Sequence, residues 1–217
     1  MEGGINITEL RKEKYWSKYA HTYDEFTEYV VGKTVRQAII NKLFEERDLG
    51  EVIEFGCGTG YFTKAIVKNA KHVIATDLSE EMLEMAKKQL KEFRNVTAQK
   101  ADCEKRSFPL ESVDTVFMAN IIHAIENPLR ALQQSYQILK YGGLLLIVSY
   151  TDYGMNWFEK MELGIRYLSK FSVPPYGLRN YSPEELSFLV ESVGFKVEGI
   201  QLLGYKPKAL YLKGRKQ

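Results

Sequence analysis

The sequence predicts an open α/β fold: a mainly parallel sheet of seven strands with helices on both faces and an antiparallel pair of strands at its C-terminal end. Three observations predict it. A strand-like run enters a glycine-rich turn, Gly56-Cys57-Gly58-Thr59-Gly60, and leaves it as a helix. Strand and helix patterns then alternate as far as Val148, as they do where helices cover both faces of a parallel sheet. Leu144-Leu145-Leu146-Ile147-Val148 is apolar without a break, which suits a strand buried on both sides.

The elements follow in order. Tyr15, Trp16, Tyr19 and Tyr23 recur at spacings of three and four, which puts most of them along one helical face that something must cover. Val35, Ala38, Ile39, Leu43 and Phe44 give the next helix a buried stripe that ends near Gly50. Val52 to Phe55 is the first strand, and a helix is expected from Tyr61 to about Ala70. Val73-Ile74-Ala75, closed by Thr76-Asp77, completes a β-α-β unit. Ser79 caps a helix with Glu80 and Glu81 in its first turn, favourable against the helix dipole, and with Met82, Leu83, Ala86, Leu90 and Phe93 inward.

A short strand follows from Val96 to Ala101, and another from Val113 to Ala119 that meets Asn120. Asn127-Pro128 reads as the cap and first turn of a helix to Leu139, which Gly142-Gly143 is expected to stop. The stretch of about 151–181 is aromatic and lacks a sheet period, so it reads as an inserted cap. Ser182-Pro183-Glu184-Glu185 has the form of a capping box, and its helix ends at Gly194. Phe195 to Leu203 and Ala209 to Lys213 lie close enough for a hairpin. The expectation is one domain over 1–217, with an N-terminal helical cap over about 8–30.

Composition narrows the function classes. With 217 residues, 45% of them hydrophobic, the chain can bury one sizeable core. Its 30 basic and 28 acidic side chains leave a net charge of +2, which gives no electrostatic case for nucleic acid or for a membrane. Two cysteines, Cys57 and Cys103, and a start lacking the order of a secretion signal point to a cytoplasmic protein. The three histidines and two cysteines are too scattered for a metal site, so no metal is expected. The expected partner is a small molecule, and the chain itself a monomer or homodimer.

Glycine at a strand-to-helix turn lets backbone approach a ligand, because no Cβ obstructs it and positive φ costs little. Here the glycines alternate, whereas a dinucleotide fingerprint spaces its last two by two residues. Asp77, ending the second strand, could accept from ribose hydroxyls of either kind of adenosine cofactor. An NAD(P)-dependent oxidoreductase therefore stands as one alternative.

Taken together, Val-Ile-Glu-Phe-Gly-Cys-Gly-Thr-Gly from Val52, Ala-Thr-Asp-Leu-Ser from Ala75, Ala-Asp-Cys from Ala101, Phe-Met-Ala-Asn-Ile-Ile-His from Phe117 and Leu-Lys-Tyr-Gly-Gly-Leu-Leu-Leu-Ile from Leu139 resemble the Rossmann-like class I S-adenosylmethionine-dependent methyltransferases, small-molecule group. The resemblance covers nearly the whole chain. It implies S-adenosylmethionine as cofactor, with the backbone of Gly56, Cys57 and Gly58 against its methionine portion, Glu54 orienting that loop, Asp77 at the ribose, Leu78 bordering the adenine, and Phe55 and Met82 also among the cofactor-binding residues. It implies Asp102 and Cys103 at the adenine edge, Asn120 and Ile121 facing the transferring methyl, and Tyr15, Tyr19 or Tyr23 closing over the top. A non-catalytic S-adenosylmethionine-binding protein is the second alternative.

On the acceptor side, His123 is the candidate base, three residues beyond Asn120. Tyr150, Tyr153, Trp157 and Tyr176 of the insert suit a small apolar or aromatic acceptor. Arg166 and Arg179 could meet an anionic group on it. Whether oxygen, nitrogen, sulfur or carbon is methylated is not written in these residues.

Overall fold

The structure, a computed structural model, describes residues 13–174 and 177–217. Seven strands form one sheet in the order β3-β2-β1-β4-β5-β7-β6. They are β1 (Gly50–Phe55), β2 (Ala70–Asp77), β3 (Val96–Lys100), β4 (Val113–Ala119), β5 (Leu139–Thr151), β6 (Phe195–Gly204) and β7 (Lys208–Lys216). The first five run parallel to one another, and β7 pairs antiparallel with both β5 and β6. From β1 the chain builds outward through β2 and β3, then returns to the other side of β1 with β4 and β5. Strand order therefore reverses between β1 and β4, and a crevice opens at their carboxyl ends.

Alternation along the central strands divides the core into two layers. Val52, Phe117, Leu146 and Val148 face one layer, which packs on α1 (Tyr23–Val31), α2 (Lys33–Leu43), α3 (Thr63–Ile66) and α4 (Glu80–Leu90). Ile53, Val116, Met118, Leu145 and Ile147 face the other, against α5 (Pro128–Ile138) and α7 (Pro183–Glu191). The remaining helix, α6 (Trp157–Lys170), contains no buried residue.

The expected caps form. Ser79 accepts from the Met82 amide, Asn127 from the Arg130 amide, and Ser182 and Glu185 make a reciprocal capping box. Two expectations are corrected. The helix after the glycine loop covers four residues, Thr63–Ile66, instead of reaching Ala70. The Asn69 amide closes on the Ile66 carbonyl, and Ala70 must already lie beside Gly50 to start β2.

The other correction concerns Gly142-Gly143, which lies inside β5 and not at a helix end. Pairing jumps from Val113 with Leu139 to Thr115 with Leu144, so the strand bulges between them. Gly142 takes φ +73°, and a Cβ on Gly143 would stand 2.8 Å from the Lys140 carbonyl oxygen. Only glycine fits that bulge.

Candidate functional site

The crevice at the switch point is a cleft lined by the ends of the central strands. β1 delivers Glu54 and the loop residues Gly56, Cys57, Gly58 and Thr59; β2 delivers Asp77, with Leu78 and Met82 beyond it. Ala101, Asp102 and Cys103 follow β3, and Asn120 and Ile121 follow β4. All but Met82 lie at or just past the end of a strand, so the sheet fixes their place.

Backbone geometry shapes this cleft. Gly56 takes φ +67°, and a Cβ there would lie 2.5 Å from Ile121 Cδ1. The Asp77 carboxylate accepts from the Gly58 amide at 2.9 Å and from the Ser79 amide at 3.0 Å, tying the glycine loop to the end of β2. Burial raises the Asp77 carboxyl above its ordinary range, against the pull of those amides. Glu54, 1% exposed, is pushed up to about 8, by burial first and by the nearby Asp77 charge. Its Oε2 is buried without a hydrogen-bond partner among the described residues.

A second cavity, of about 270 Å³, adjoins the cleft beneath α6. Trp16, Tyr23, Thr27, Asn120 and Tyr150 line both spaces and so form the boundary between them. Asn120 is held rigidly there. At φ 56° its amide donates to the Val148 carbonyl at 2.8 Å and its side-chain oxygen accepts from the Tyr150 amide at 3.0 Å. The Tyr150 hydroxyl has no hydrogen-bond partner among the described residues, and burial raises its pKa. Burial also pushes the Tyr23 phenol up to about 12, with Asp24 adding to the effect.

His123 lines this second cavity, its Nδ1 3.1 Å from the Ser149 hydroxyl. Burial pushes its pKa down to about 4, so the ring is neutral at pH 7. Asp152 and Lys160, 3.2 Å apart, make a polar wall; Leu163, Tyr167, Leu168 and Phe171 make an apolar one.

Residues 53–147 match the profile of a family described as methyltransferase domain. A malonyl-[acyl-carrier protein] O-methyltransferase of Priestia megaterium is 30% identical over 82% of this chain and 66% of its own length. A second protein of that name, from Halalkalibacterium halodurans, is 29% identical over 69% of this chain and 57% of its own. A demethylmenaquinone methyltransferase of Tropheryma whipplei is 26% identical over 74% of this chain and 72% of its own. The chain belongs to the class I S-adenosylmethionine-dependent methyltransferases. It spans little more than half the length of the Halalkalibacterium relative. The fold is shared with an S-adenosylmethionine-dependent methyltransferase of Thermotoga maritima, at a TM-score of 0.72 and 24% identity over 94% of this chain and 99% of that one.

The cleft brings together Glu54, Gly56, Cys57, Gly58, Asp77, Leu78, Met82, Asp102, Cys103, Asn120 and Ile121. Phe55 does not join them: alternation turns its side chain into the core under α5 and α7. Of the three N-terminal tyrosines, only Tyr23 lines the cleft. Tyr15 instead donates to the Ser172 carbonyl, and the Tyr19 hydroxyl accepts from the Ser172 amide at 2.8 Å, so these two fasten the N-terminal segment to the insert.

The residues expected to meet an acceptor are more scattered. Tyr150 lies at the boundary, but Trp157 is 67% exposed and Tyr153 39%, and neither lines the cavity. Tyr176 lies outside the described residues. Arg179 lines the second cavity while its guanidinium donates to the carbonyls of Ile125 and Glu126; Arg166 does not line it and contacts the Val30 carbonyl and Glu162.

Arg36 is the residue that sequence reasoning missed. It is 2% exposed yet lines the cleft, donating to the Asp24 carbonyl and carboxylate at 2.7 and 2.8 Å and lying 3.5 Å from the Tyr61 ring centre. Asp24 also accepts from Thr59 at 2.8 Å, which clasps the N-terminal segment to the glycine loop. The sequence held one signal: a lone cation three residues before Ile39, within the buried arc of α2.

Proposed function

We propose that this methyltransferase passes the methyl group of S-adenosylmethionine to a small, largely apolar acceptor held beneath α6. The observation that carries the reading is the shared boundary, where Trp16, Tyr23, Asn120 and Tyr150 separate a cleft suited to the cofactor from a second cavity. Methyl transfer needs two reactants in line and little else from the protein, so holding them across a rigid boundary supplies much of the effect.

The cleft's donor set suits the cofactor. Asp77 takes the ribose hydroxyls, Asp102 the adenine amino group, and Leu78 and Met82 the adenine faces. Glu54, with a buried oxygen lacking a partner among the described residues, suits the amino group of the methionine end. Arg36, whose Nε is buried and unpartnered among the described residues, suits its carboxylate. When bound, the sulfonium supplies an electrophilic methyl together with its own leaving group. Asn120, Tyr150 and Tyr23 then exclude water and fix the approach of the acceptor.

His123 orients the acceptor in this reading and does not act as its base. A neutral imidazole with a pKa near 4 has little driving force to take a proton at pH 7. The acceptor therefore brings its own lone pair or ionises readily. The relatives' names, an O-methyltransferase and a demethylmenaquinone methyltransferase, favour an oxygen acceptor or a quinone precursor.

Thermal shift with S-adenosylhomocysteine, S-adenosylmethionine and NADH, followed by mass spectrometry of acceptor mixtures, tests the proposal. Stabilisation by the first two and a gain of one methyl on a small apolar acceptor is the expected result. Stabilisation by NADH alone defeats it. Tight cofactor binding without methyl transfer to any member of a broad panel favours a non-catalytic binding protein.

A further inference from the structure

The second cavity carries an unbalanced charge. Among the described residues its lining holds two cations, Lys160 and Arg179, and one carboxylate, Asp152, while the ring of His123 is neutral at pH 7. Asp152 is already engaged: Lys160 Nζ lies 3.2 Å from it, and the Asn180 side-chain amide donates to it at 3.5 Å. Within that group the charges cancel. Arg179 is left as the excess.

Local hydrogen bonds fix Arg179 without neutralising it. Its backbone amide donates to the His123 carbonyl at 2.9 Å, its Nη2 to the Glu126 carbonyl at 2.9 Å and its Nη1 to the Ile125 carbonyl. Carbonyls orient a guanidinium but carry no net charge to offset it, and a guanidinium has more N–H groups than these two bonds use. The half-buried side chain is therefore held in place before any ligand arrives, which lowers the entropy lost on binding.

Position decides what the charge is for. Arg179 and Lys160 line the second cavity but not the cleft, whereas Asn120 and Tyr150 line both. An anion at Arg179 thus stands away from the boundary across which the methyl group passes. Leu163, Tyr167, Leu168 and Phe171 offer apolar surface in the same cavity. We propose that the acceptor is an amphiphilic carboxylate, whose apolar body lies along that surface while Arg179 holds its carboxylate as a handle remote from the atom methylated. A single excess cation suits a carboxylate better than a phosphate group, which carries about two negative charges at pH 7. Arg179 is then the residue that selects acceptors by charge. This rests on the reading of the cavity as the acceptor site.

Ultrafiltration with mass spectrometry tests this on the full chain, with and without S-adenosylhomocysteine. The probes are phenylacetic, hydrocinnamic and octanoic acids, each mixed with its primary amide, which matches the acid in shape but not in charge. Retention of an acid over its amide by about tenfold or more is expected, because hydrogen bonds to a charged group contribute on that scale. Arg179→Gln should bring the preference near parity, and Arg179→Lys, which keeps the charge without the fork, should retain part of it. Arg179 does not line the cleft, so both variants should keep the thermal shift with S-adenosylhomocysteine, which separates a lost handle from lost folding. Equal retention of acids and amides by the native chain overturns the proposal, as does retention of neither. So does a preference that survives Arg179→Gln, or one that both substitutions abolish alike, which would make Arg179 only a fastener of the loop after β4. A preference for acids without any thermal shift by S-adenosylhomocysteine defeats the proposed methyl transfer and leaves the carboxylate site standing.

Discussion

At the cleft proposed for the cofactor, position is set by backbone; at the cavity proposed for the acceptor, it is set by side chains from segments far apart in sequence. Gly56, Asp77, Asp102 and Asn120 each stand at or just past the end of a parallel strand, and the register of the sheet fixes their spacing. The acceptor cavity borrows Trp16 and Tyr23 from the N-terminal segment, His123 and Tyr150 from the sheet's rim, and Leu163 and Phe171 from the insert. The contrast teaches that the first wall tolerates little variation, while the second can be remodelled without disturbing the sheet.

Gly56→Val should have the largest effect. The φ of +67° is strained for a β-branched residue, and the new Cβ falls on Ile121, which lines the cleft. Loss of stabilisation by S-adenosylhomocysteine and a fall in turnover of at least about 100-fold are expected, since misplacing reactants by about 1 Å costs that much. Thermal shift and initial rates measure both. Ordinary cofactor binding by the G56V enzyme would mean that backbone approach does not define this wall.

The sheet and the cleft at its switch point were legible for the same physical reason. Alternation of apolar residues, glycines at the strand-to-helix turn and aspartates after β2 and β3 are local patterns, and a parallel sheet converts local patterns into fixed spatial neighbours. Arg36 was hidden because its function comes from a partner twelve residues away and a ring twenty-five residues away. Trp157 misled for the opposite reason. Aromatic content says that an insert has apolar faces, but not which face of α6 turns inward, because the helix is apolar on two sides. Gly142-Gly143 showed a related ambiguity, since a glycine pair marks a helix end and a strand bulge equally well.

Glu54 sharpens the comparison through protons. Its carboxyl is raised from the ordinary range to about 8, so the folded protein without cofactor keeps a proton that the unfolded chain releases above about 4.5. Stability from this group is therefore fully present below 4.5 and is lost as pH rises through 8. Glu54→Gln should flatten the decline in Tm between about pH 5 and 8. Binding brings the cofactor's ammonium against the carboxyl, lowers its pKa and expels the proton. Calorimetry at about pH 7.5 should then show a binding enthalpy that depends on the buffer's ionisation heat, a dependence smaller by up to about one proton in the E54Q protein. Equal proton release by both would place the proton elsewhere in the cleft.

His123 should give the smallest effect, and its direction separates positioning from base catalysis. With a folded pKa of about 4 and an unfolded value near 6.5, the imidazole binds fewer protons when folded, so its contribution to stability is present above 6.5 and is lost as pH falls through 4. No limb of the rate profile near pH 6.5 should therefore belong to His123. His123→Gln keeps a polar group near Ser149 without an imidazole, and should raise KM for the acceptor by a few-fold, roughly 1 kcal/mol, while leaving kcat and its pH profile nearly unchanged. A fall in kcat of about 100-fold or more, with loss of a pH-dependent limb, would make the imidazole a base. It would also move part of the chemistry from the rigid cofactor wall to the adaptable acceptor wall, where a change of acceptor would have to preserve it.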